Sequence, residues 1–347
     1  MSEFWNKISF GIDVLKAKMS GQYKPFQVQL SVTNRCNLKC SYCYANYPER
    51  THKELTTDNL FYIIDELKKI GTKRINLVGG EPLLRKDIGK IIDHIKAKGI
   101  ECVMTSNGYM VSKKINDVKK LDLLCISLDG NREANDANRG KGSYDMAIGA
   151  IKLAKENHIP FQVATVITKN NLNSIEYVLE KGKELGFSVG FSTLISQTVH
   201  GKKSVPQDMP TDDEYKQILK RLIELKEKGY PVLFSKKSLE YALNWRLGYQ
   251  KEKFMGEKPD FKYIKCNAGK FFCIIDVNGD VYPCPTLVDV IKPLNCLEHG
   301  IKKAFKYVNN HPCYTCHIPC QNEFNLMYSF NLSVLFNIAK NYKSGMR

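Results

Sequence analysis

Between residues 26 and 193, short apolar segments alternate with longer segments of helical period. This alternation is typical of repeated βα units, in which helices cover a parallel sheet. The predicted helices cover residues 58–70, 87–98, 143–157 and 172–185. The predicted strands have the sequences FQVQLSV, RINLV, ECVMTS, LLCISL, FQVATVI and FSVGFST. The sequence therefore predicts an α/β fold built around a parallel sheet.

The alternation stops after Thr193, where a polar stretch precedes a charged helix predicted at residues 212–228. Beyond Pro259 the chain becomes rich in cysteine. There the segment FFCIIDVNGDVYPC predicts a hairpin in which Asn278 and Gly279 both take positive φ. We therefore predict three units, an N-terminal amphipathic helix, a core domain and a small cysteine-rich C-terminal domain, at residues 1–25, 26–235 and 236–347.

The N-terminal segment places five apolar side chains near one helical face, namely Trp5, Ile8, Ile12, Leu15 and Met19. Lys7, Lys16 and Lys18 lie beside that face. We expect this apolar face to pack against the core domain. The alternative is a basic amphipathic helix that rests on a membrane surface, which would make the protein a peripheral membrane partner.

The chain has no apolar run long enough for a membrane span and no signal-peptide pattern, so we expect a cytoplasmic protein. Its formal charge of +16 is spread in pairs such as Lys202-Lys203 and Lys236-Lys237. Because the sequence lacks the basic block of a nucleic-acid arm, we expect no nucleic-acid partner. A solvated, lysine-rich surface accounts for the charge.

Twelve cysteines in a chain without a secretion signal favour metal ligation over a disulfide framework. Three of them, Cys36, Cys40 and Cys43, lie directly after the first predicted strand. In α/β folds chemistry is placed at the carboxyl ends of strands. Three thiolates can hold three corners of an iron–sulfur cube and leave the fourth iron open. A zinc knuckle at Cys40 and Cys43 is the alternative.

The spacing C-x3-C-x2-C, with Tyr42 before the last cysteine, resembles the signature of the radical S-adenosylmethionine (SAM) superfamily. Gly79-Gly80-Glu81-Pro82, at the end of the next strand, resembles its second motif. The resemblance implies a partial (β/α)6 barrel, and the six predicted strands agree with it. It also implies a 4Fe-4S cluster on the three cysteines. That cluster binds SAM and reductively cleaves it to a 5′-deoxyadenosyl radical, which abstracts hydrogen from a substrate.

Two further motifs end the following strands, Ser106-Asn107-Gly108 and Ser127-Leu128-Asp129-Gly130. The resemblance implies that such positions contact the ribose and carboxylate of SAM, whereas the glycine-rich second motif and its glutamate hold the methionine amino group. The implied SAM-binding residues are Tyr42, Gly79, Gly80, Glu81, Asn107, Ser127, Asp129 and Arg139. Ordinary tight turns are the alternative for the Asn-Gly and Asp-Gly pairs.

Seven cysteines lie between residues 266 and 320, in CNAGKFFCIIDVNGDVYPC, in CYTCHIPC and at Cys296. This pattern resembles the twitch and SPASM domains of radical SAM enzymes and implies an auxiliary 4Fe-4S cluster, for which four thiolates suffice. Cys320 competes for the fourth place, and Cys273 is next. Two clusters or a structural zinc are alternatives. The four ligands that we choose are Cys266, Cys284, Cys313 and Cys316.

We therefore expect a radical SAM enzyme that acts on a small molecule, lipid or peptide with help from the auxiliary cluster. A peptide-maturing SPASM enzyme is the alternative within this class. The alternative from another class is a non-catalytic iron–sulfur or zinc protein that binds nucleic acid, but it gives Glu81 no purpose. A reducing partner such as flavodoxin or ferredoxin is implied. No acid or base stands out, although Tyr44, His52, His200 and His317 lie near motifs or loops.

Overall fold

The structure is a computed structural model that describes residues 2–195 and 206–344, without the side chains of residues 2–9, 48, 206 and 340–344. The strands are β1 (Gln27–Ser31), β2 (Arg74–Val78), β3 (Glu101–Ser106), β4 (Leu123–Ser127), β5 (Phe161–Ile167), β6 (Val189–Thr193), β7 (Lys253–Met255), β8 (Phe272–Ile275), β9 (Asp280–Tyr282), β10 (Leu294–Asn295) and β11 (Cys313–Cys316). The helices are α1 (Ser2–Ser20), α2 (Thr57–Lys69), α3 (Ile88–Ala97), α4 (Ile115–Val118), α5 (Arg132–Arg139), α6 (Ser143–Glu156), α7 (Ile175–Leu185), α8 (Asp212–Glu227), α9 (Lys236–Leu243), α10 (Cys296–His299), α11 (Ile301–Val308), α12 (Pro319–Tyr328) and α13 (Leu332–Ser344). None of these described helices combines the length and apolarity that a membrane crossing requires.

Strands β1 to β6 form a parallel sheet in chain order, as the βα alternation predicts. Helices cover the sheet through apolar side chains spaced three and four positions apart, which share one helical face. In α2 these are Leu60, Ile63, Ile64 and Leu67, all fully buried. Each such side chain contributes about 1.5–3 kcal/mol on burial. The predicted partial (β/α)6 barrel is confirmed, and its parallel order brings the six carboxyl strand ends to one edge.

The cysteine-rich segment extends the same sheet. Strand β8 pairs in parallel with β1, with Gln27 opposite Phe272, and β9 and β10 follow antiparallel. The predicted hairpin is therefore present, but its turn differs from the prediction. Positive φ occurs at Gly279, and not at Asn278. The Gly279 amide donates to the Asp276 carbonyl at 2.9 Å, so the turn at residues 276–279 closes with positive φ at its last residue alone.

The N-terminal helix α1 packs on a different face from the predicted one. Phe10, Val14 and Ala17 face the aromatic cluster that contains Phe26 and Phe271, whereas Ile12, Leu15 and Met19 are exposed. The packed face thus combines the Phe10 ring with the smaller side chains of Val14 and Ala17, in place of the five larger apolar residues of the predicted face. The predicted Trp5 and Ile8, with Lys7 beside them, lie outside the side chains that the structure describes.

Two buried carboxylates join the predicted core domain to the cysteine-rich domain. Asp276 pairs with Arg50 from the segment after the first cysteines, and both side chains are at most 5% exposed. Glu323 on α12 accepts from the Ser235 amide at 3.0 Å and from the hydroxyls of Ser235 and Ser238 at 2.6 and 2.5 Å. The two predicted domains therefore share one sheet and a set of buried polar contacts.

Candidate cofactor site

The loop that carries Cys36, Cys40 and Cys43 leaves the carboxyl end of β1 and is held by hydrogen bonds on both sides. Glu54 accepts from the Thr33 hydroxyl and from the Asn34 amide, each at 2.7 Å. On the other side the Ser41 amide donates to the Asn138 carbonyl of α5 at 2.9 Å. All three thiols are half-buried. The sheet edge and α5 therefore fix the backbone of this loop, which we call the thiol loop (residues 33–43).

The three thiols of this loop act on one another. Burial raises the pKa of Cys36 to about 11, and the charges of Glu81, Cys40 and Cys43 raise it further. Burial also raises the pKa of Cys40, while the Arg139 guanidinium lowers it. Three thiolates in this setting require added positive charge, which a bound metal centre would supply. Among the described residues, no three His, Cys, Asp or Glu side chains surround a single-ion position.

Gly79 and Gly80, at the end of β2, lie directly against the thiol loop. The Gly80 amide donates to the Thr33 carbonyl at 2.8 Å, and the Glu81 amide donates to the Arg35 carbonyl at 2.8 Å. A Cβ added at Gly79 would lie 2.4 Å from the Thr33 oxygen, and one added at Gly80 would lie 2.2 Å from the Arg35 oxygen. Only glycine permits this approach of two backbones.

Glu81 is the buried carboxyl between the ends of β2 and β3. Its oxygens accept from the Asn107 amide at 2.8 Å, the Ser106 hydroxyl at 2.9 Å and the Leu83 amide at 3.2 Å. Burial raises its pKa to about 7, against the lowering effect of these donors. The Glu81 carboxyl therefore lies near Cys36 in a fixed orientation. With a pKa of about 7, it loses its proton near neutral pH.

The next two strand ends carry Asn107 and Ser127. The Asn107 side chain donates from Nδ2 to Asn37 Oδ1 on the thiol loop at 3.0 Å, and its Oδ1 accepts from the Tyr109 amide at 3.0 Å. Ser127 is the last residue of β4 and is half-buried. The structure therefore brings both predicted residues to the same sheet edge as Glu81, with Asn107 linked to the loop.

Asp129 is fully buried, and both of its oxygens contact protein groups. It accepts from the Tyr42 hydroxyl at 2.5 Å, from Arg139 Nε at 2.7 Å and Nη2 at 3.1 Å, and from the Val166 amide at 3.0 Å. The Arg139 guanidinium also lies 5.5 Å from the centre of the Tyr42 ring. This carboxylate therefore orients Tyr42 and Arg139. Its ion pair with Arg139 uses Nε and Nη2 and does not involve Nη1.

The cysteine-rich domain gathers four thiols. Cys266 precedes β8, Cys284 follows β9, and Cys313 and Cys316 lie at the two ends of β11. The Cys313 thiol donates to the Thr315 carbonyl at 3.8 Å. Its interaction with Cys266 lowers the pKa of Cys266 and raises that of Cys313. Burial raises the pKa of Cys284 to about 11, and Cys266 raises it further. The four thiols chosen from the sequence are therefore mutual neighbours.

The competing cysteines are placed differently. Cys320 acts electrostatically on Cys316, and its sulfur contacts the Ser192 hydroxyl at 3.7 Å. Cys273 lies in the main apolar core, where its electrostatic neighbour is Cys296. Cys102 and Cys125 are buried in their strands, as expected for packing residues. Cys320 thus remains close to the four thiols, whereas Cys273 does not approach them.

Sequence reasoning missed one buried cation next to these four thiols. Lys253 on β7 donates from Nζ to the Thr286 carbonyl at 2.7 Å, and its charge interacts with Cys284, Cys313 and Cys316. Burial lowers its pKa. The segment KEKFMGEK, with its many charges, has the composition of a surface loop, so no signal in the sequence marks this lysine.

The histidines and tyrosine named as possible acids or bases find partners in the structure or lie outside it. His317 is fully buried, with Nε2 at 3.1 Å from the Tyr249 carbonyl, and burial lowers its pKa to about 4. Burial raises the pKa of Tyr44 well above its usual value. The His52 carbonyl accepts from Asn34 at 2.8 Å. His200 lies outside the described residues.

Comparison with known proteins identifies the family of the chain. The model of the radical SAM superfamily matches residues 30–182, which include the thiol loop and the four strand ends that follow it. The AdoMet-dependent heme synthase of Methanosarcina barkeri is 30% identical over 272 residues, which span 75% of this chain and 76% of that protein. The chain therefore belongs to the radical SAM superfamily, and its cofactors are SAM and a 4Fe-4S cluster.

Two further similarities extend beyond the family segment. The mycofactocin maturase MftC of Mycolicibacterium smegmatis is 29% identical over 284 residues, which span 80% of this chain and 68% of that protein. The crystal structure of Streptococcus suis SuiB bound to S-adenosylmethionine superposes with a TM-score of 0.66 at 17% identity. It covers 84% of this chain and 68% of that chain, so the shared fold includes part of the cysteine-rich region.

We predict that Gly80→Ala displaces the thiol loop, because its Cβ would meet the rigid Arg35 carbonyl. The unfolding free energy should fall by about 1–3 kcal/mol, and iron bound at Cys36, Cys40 and Cys43 should be lost on anaerobic reconstitution. Gly149→Ala is the matched control, since open space surrounds that helical position. Iron per chain and thermal unfolding measure both effects. Full iron content in Gly80→Ala would contradict the role of this contact.

Proposed function

We propose that this enzyme binds a 4Fe-4S cluster through Cys36, Cys40 and Cys43 and uses it to cleave SAM reductively. When bound, the cluster and SAM supply a 5′-deoxyadenosyl radical that abstracts hydrogen from the substrate. One observation carries the proposal: the thiol loop is fixed by backbone hydrogen bonds to Gly80 and Glu81, beside a buried carboxyl. A metal-binding loop alone has no use for that carboxyl.

We propose that different residues around the thiol loop contact different groups of SAM. Glu81, fixed by three donors, accepts from the methionine amino group, and the backbone of Gly79 and Gly80 lets that group come close. Arg139 offers Nη1 to the methionine carboxylate, while Asn107 and Ser127 face the ribose. Asp129 and Tyr42 then act as positioning residues, because the Asp129 oxygens contact Tyr42 and Arg139.

We propose that Cys266, Cys284, Cys313 and Cys316 hold one auxiliary 4Fe-4S cluster. The four thiols lie together in a buried site, and a closed cluster needs four protein ligands. Cys320 is proposed as a neighbour that shields the cluster, and Lys253 balances part of its negative charge. The auxiliary cluster would relay electrons or take an electron from the substrate radical.

The proposed reaction is limited to the radical initiation step that the relatives have in common. One relative is named a maturase and another a heme synthase, so radical initiation is common to both while their products differ. The substrate of this enzyme is an organic molecule, with a peptide as the candidate that the maturase suggests. A flavodoxin or ferredoxin would supply the electron. The free thiols favour a reducing compartment such as the cytoplasm.

We predict that anaerobically reconstituted protein holds about eight irons per chain, four in each cube. Reduced with dithionite, it should convert SAM to 5′-deoxyadenosine and methionine without added substrate. Replacement of Cys36, Cys40 and Cys43 by alanine should remove about four irons and all cleavage. Cys102→Ala is the control, since this thiol is buried in β3 away from both sites. S-adenosylhomocysteine as the product would instead indicate methyl transfer.

We predict that SAM binding weakens below neutral pH because of Glu81. Its pKa in the free protein is about 7, above the usual value of 4.5, so at lower pH the carboxyl carries a proton. This proton must leave before the oxygens accept from the amino group, which costs about tenfold in affinity per pH unit below 7. Glu81→Gln should lack this part of the slope. Dialysis with labelled SAM between pH 6 and 8 measures it, and equal slopes in both proteins would exclude the role.

A further prediction separates Cys316 from Cys320 as the fourth auxiliary ligand. Cys316→Ala should lose about four irons and loosen the C-terminal domain, because cluster binding contributes to folding there. Cys320→Ala should keep all of its iron, and both variants should still produce 5′-deoxyadenosine. Iron analysis and limited proteolysis measure the two effects. If Cys320→Ala loses the iron and Cys316→Ala keeps it, the ligand choice is wrong by one residue.

A further inference from the structure

Helix α1 presents a second apolar face, opposite to the one that packs. Ile12, Leu15 and Met19 are three and four positions apart and therefore share one side of the helix. Their exposed fractions are 46%, 50% and 81%, whereas Val14 and Ala17 on the other side are 2% and 3% exposed. Packing against the rest of the protein explains why Val14 and Ala17 are apolar. It does not explain the three exposed apolar side chains.

The start of α13 adds to this exposed apolar face. Leu332 and Phe336 are four positions apart and are 81% and 79% exposed. Phe330, just before the helix, lies with its ring centre 5.2 Å from the ammonium of Lys18 on α1. Lys18, near the end of α1, and Phe330, just before α13, are therefore neighbours. We call the exposed apolar side chains of these two segments the terminal face (Ile12, Leu15, Met19, Phe330, Leu332 and Phe336).

Positive charge borders the terminal face. Lys16 is exposed next to Leu15, and Lys18 lies near Lys265, whose charge together with burial lowers the pKa of Lys18. The Lys270 ammonium is 5.4 Å from the Tyr23 ring centre. The carboxylate of Asp13 on the same helix is already paired with Lys73 at 3.1 Å. Lys18 and Lys265 repel one another, so an anionic surface would stabilise them.

We propose that the terminal face docks onto an anionic lipid bilayer. The exposed side chains would enter the interface between headgroups and acyl chains, as the apolar side of an amphipathic helix does. Lys16, Lys18, Lys265 and Lys270 would contact anionic headgroups, because long basic side chains extend from an apolar surface toward charge. A protein partner of neutral surface would leave the repulsion among these lysines in place, so charge complementarity favours the bilayer.

The residues changed in the variants below belong to neither proposed cofactor site, so the two proposals can fail independently. The test uses reconstituted holoprotein and vesicles of phosphatidylcholine with or without phosphatidylglycerol, separated by flotation. We expect binding to the vesicles that contain phosphatidylglycerol, and we expect it to weaken at high salt. Formation of 5′-deoxyadenosine is measured in the same samples and should be unchanged in every variant below.

Two sets of double variants, each with a control, test the apolar and the charged parts of the terminal face separately. Leu15→Ser with Met19→Ser should reduce binding about tenfold or more, whereas Tyr62→Ser with Tyr307→Ser, at similarly exposed positions elsewhere, should not. Lys16→Gln with Lys18→Gln should reduce binding about 25-fold, at about fivefold for each lysine lost. The exposed pair Lys302→Gln with Lys303→Gln on α11 carries the same charge change and should leave binding intact.

Three results would overturn the proposal. Equal binding to vesicles with and without phosphatidylglycerol would remove the role of the lysines. Absence of vesicle binding by the wild-type holoprotein would remove the bilayer as the occupant of the terminal face. A dimer in light scattering that Leu15→Ser with Met19→Ser dissociates, without vesicle binding, would assign the face to a second copy of the chain.

Discussion

The site depends on two backbone hydrogen bonds between neighbouring strand ends. Gly80 and Glu81 donate to the carbonyls of Thr33 and Arg35, and the absence of side chains at Gly79 and Gly80 allows this contact. Parallel strands with helical crossovers bring loops from distant parts of the chain to one edge. The register of β1 against β2 therefore decides where the thiols lie relative to Glu81, and the later strand ends extend the same edge.

Burial disfavours the charged thiolate form of the cysteines at both thiol sites. The pKa values of Cys36 and Cys284 are each raised to about 11, so neither sulfur favours the thiolate form on its own. Positive groups stand nearby, Arg139 beside Cys40 and Lys253 beside Cys284. Each site thus combines thiols that need a cationic centre with nearby protein cations, and at the second site these include Lys270 beside Cys266. A cluster bound at either site would have part of its negative charge compensated by the protein.

Much of this arrangement could be predicted from the sequence, and the exceptions have physical causes. Strands such as β2, β3 and β5 match the predicted segments because apolar periodicity is a local property. The pairing of β8 with β1 is not local, so the cysteine-rich segment gave no sign that it joins the sheet. Asp129 was placed at the correct strand end, but its partners Tyr42 and Arg139 come from other segments. Lys253 was missed because its burial depends entirely on the surrounding fold.

The parallel pairing of β8 with β1 also affects how the chain folds during synthesis. Strand β1 is made early, yet one of its edges has no strand until residue 272 and its neighbours leave the ribosome. Other chains can pair with an open strand edge. The unpaired edge of β1 is therefore prone to aggregation for most of translation. The segment from β8 onward therefore covers this edge of the barrel. A chain truncated before β8 would keep the thiol loop and leave β1, the strand that supports it, with an open edge.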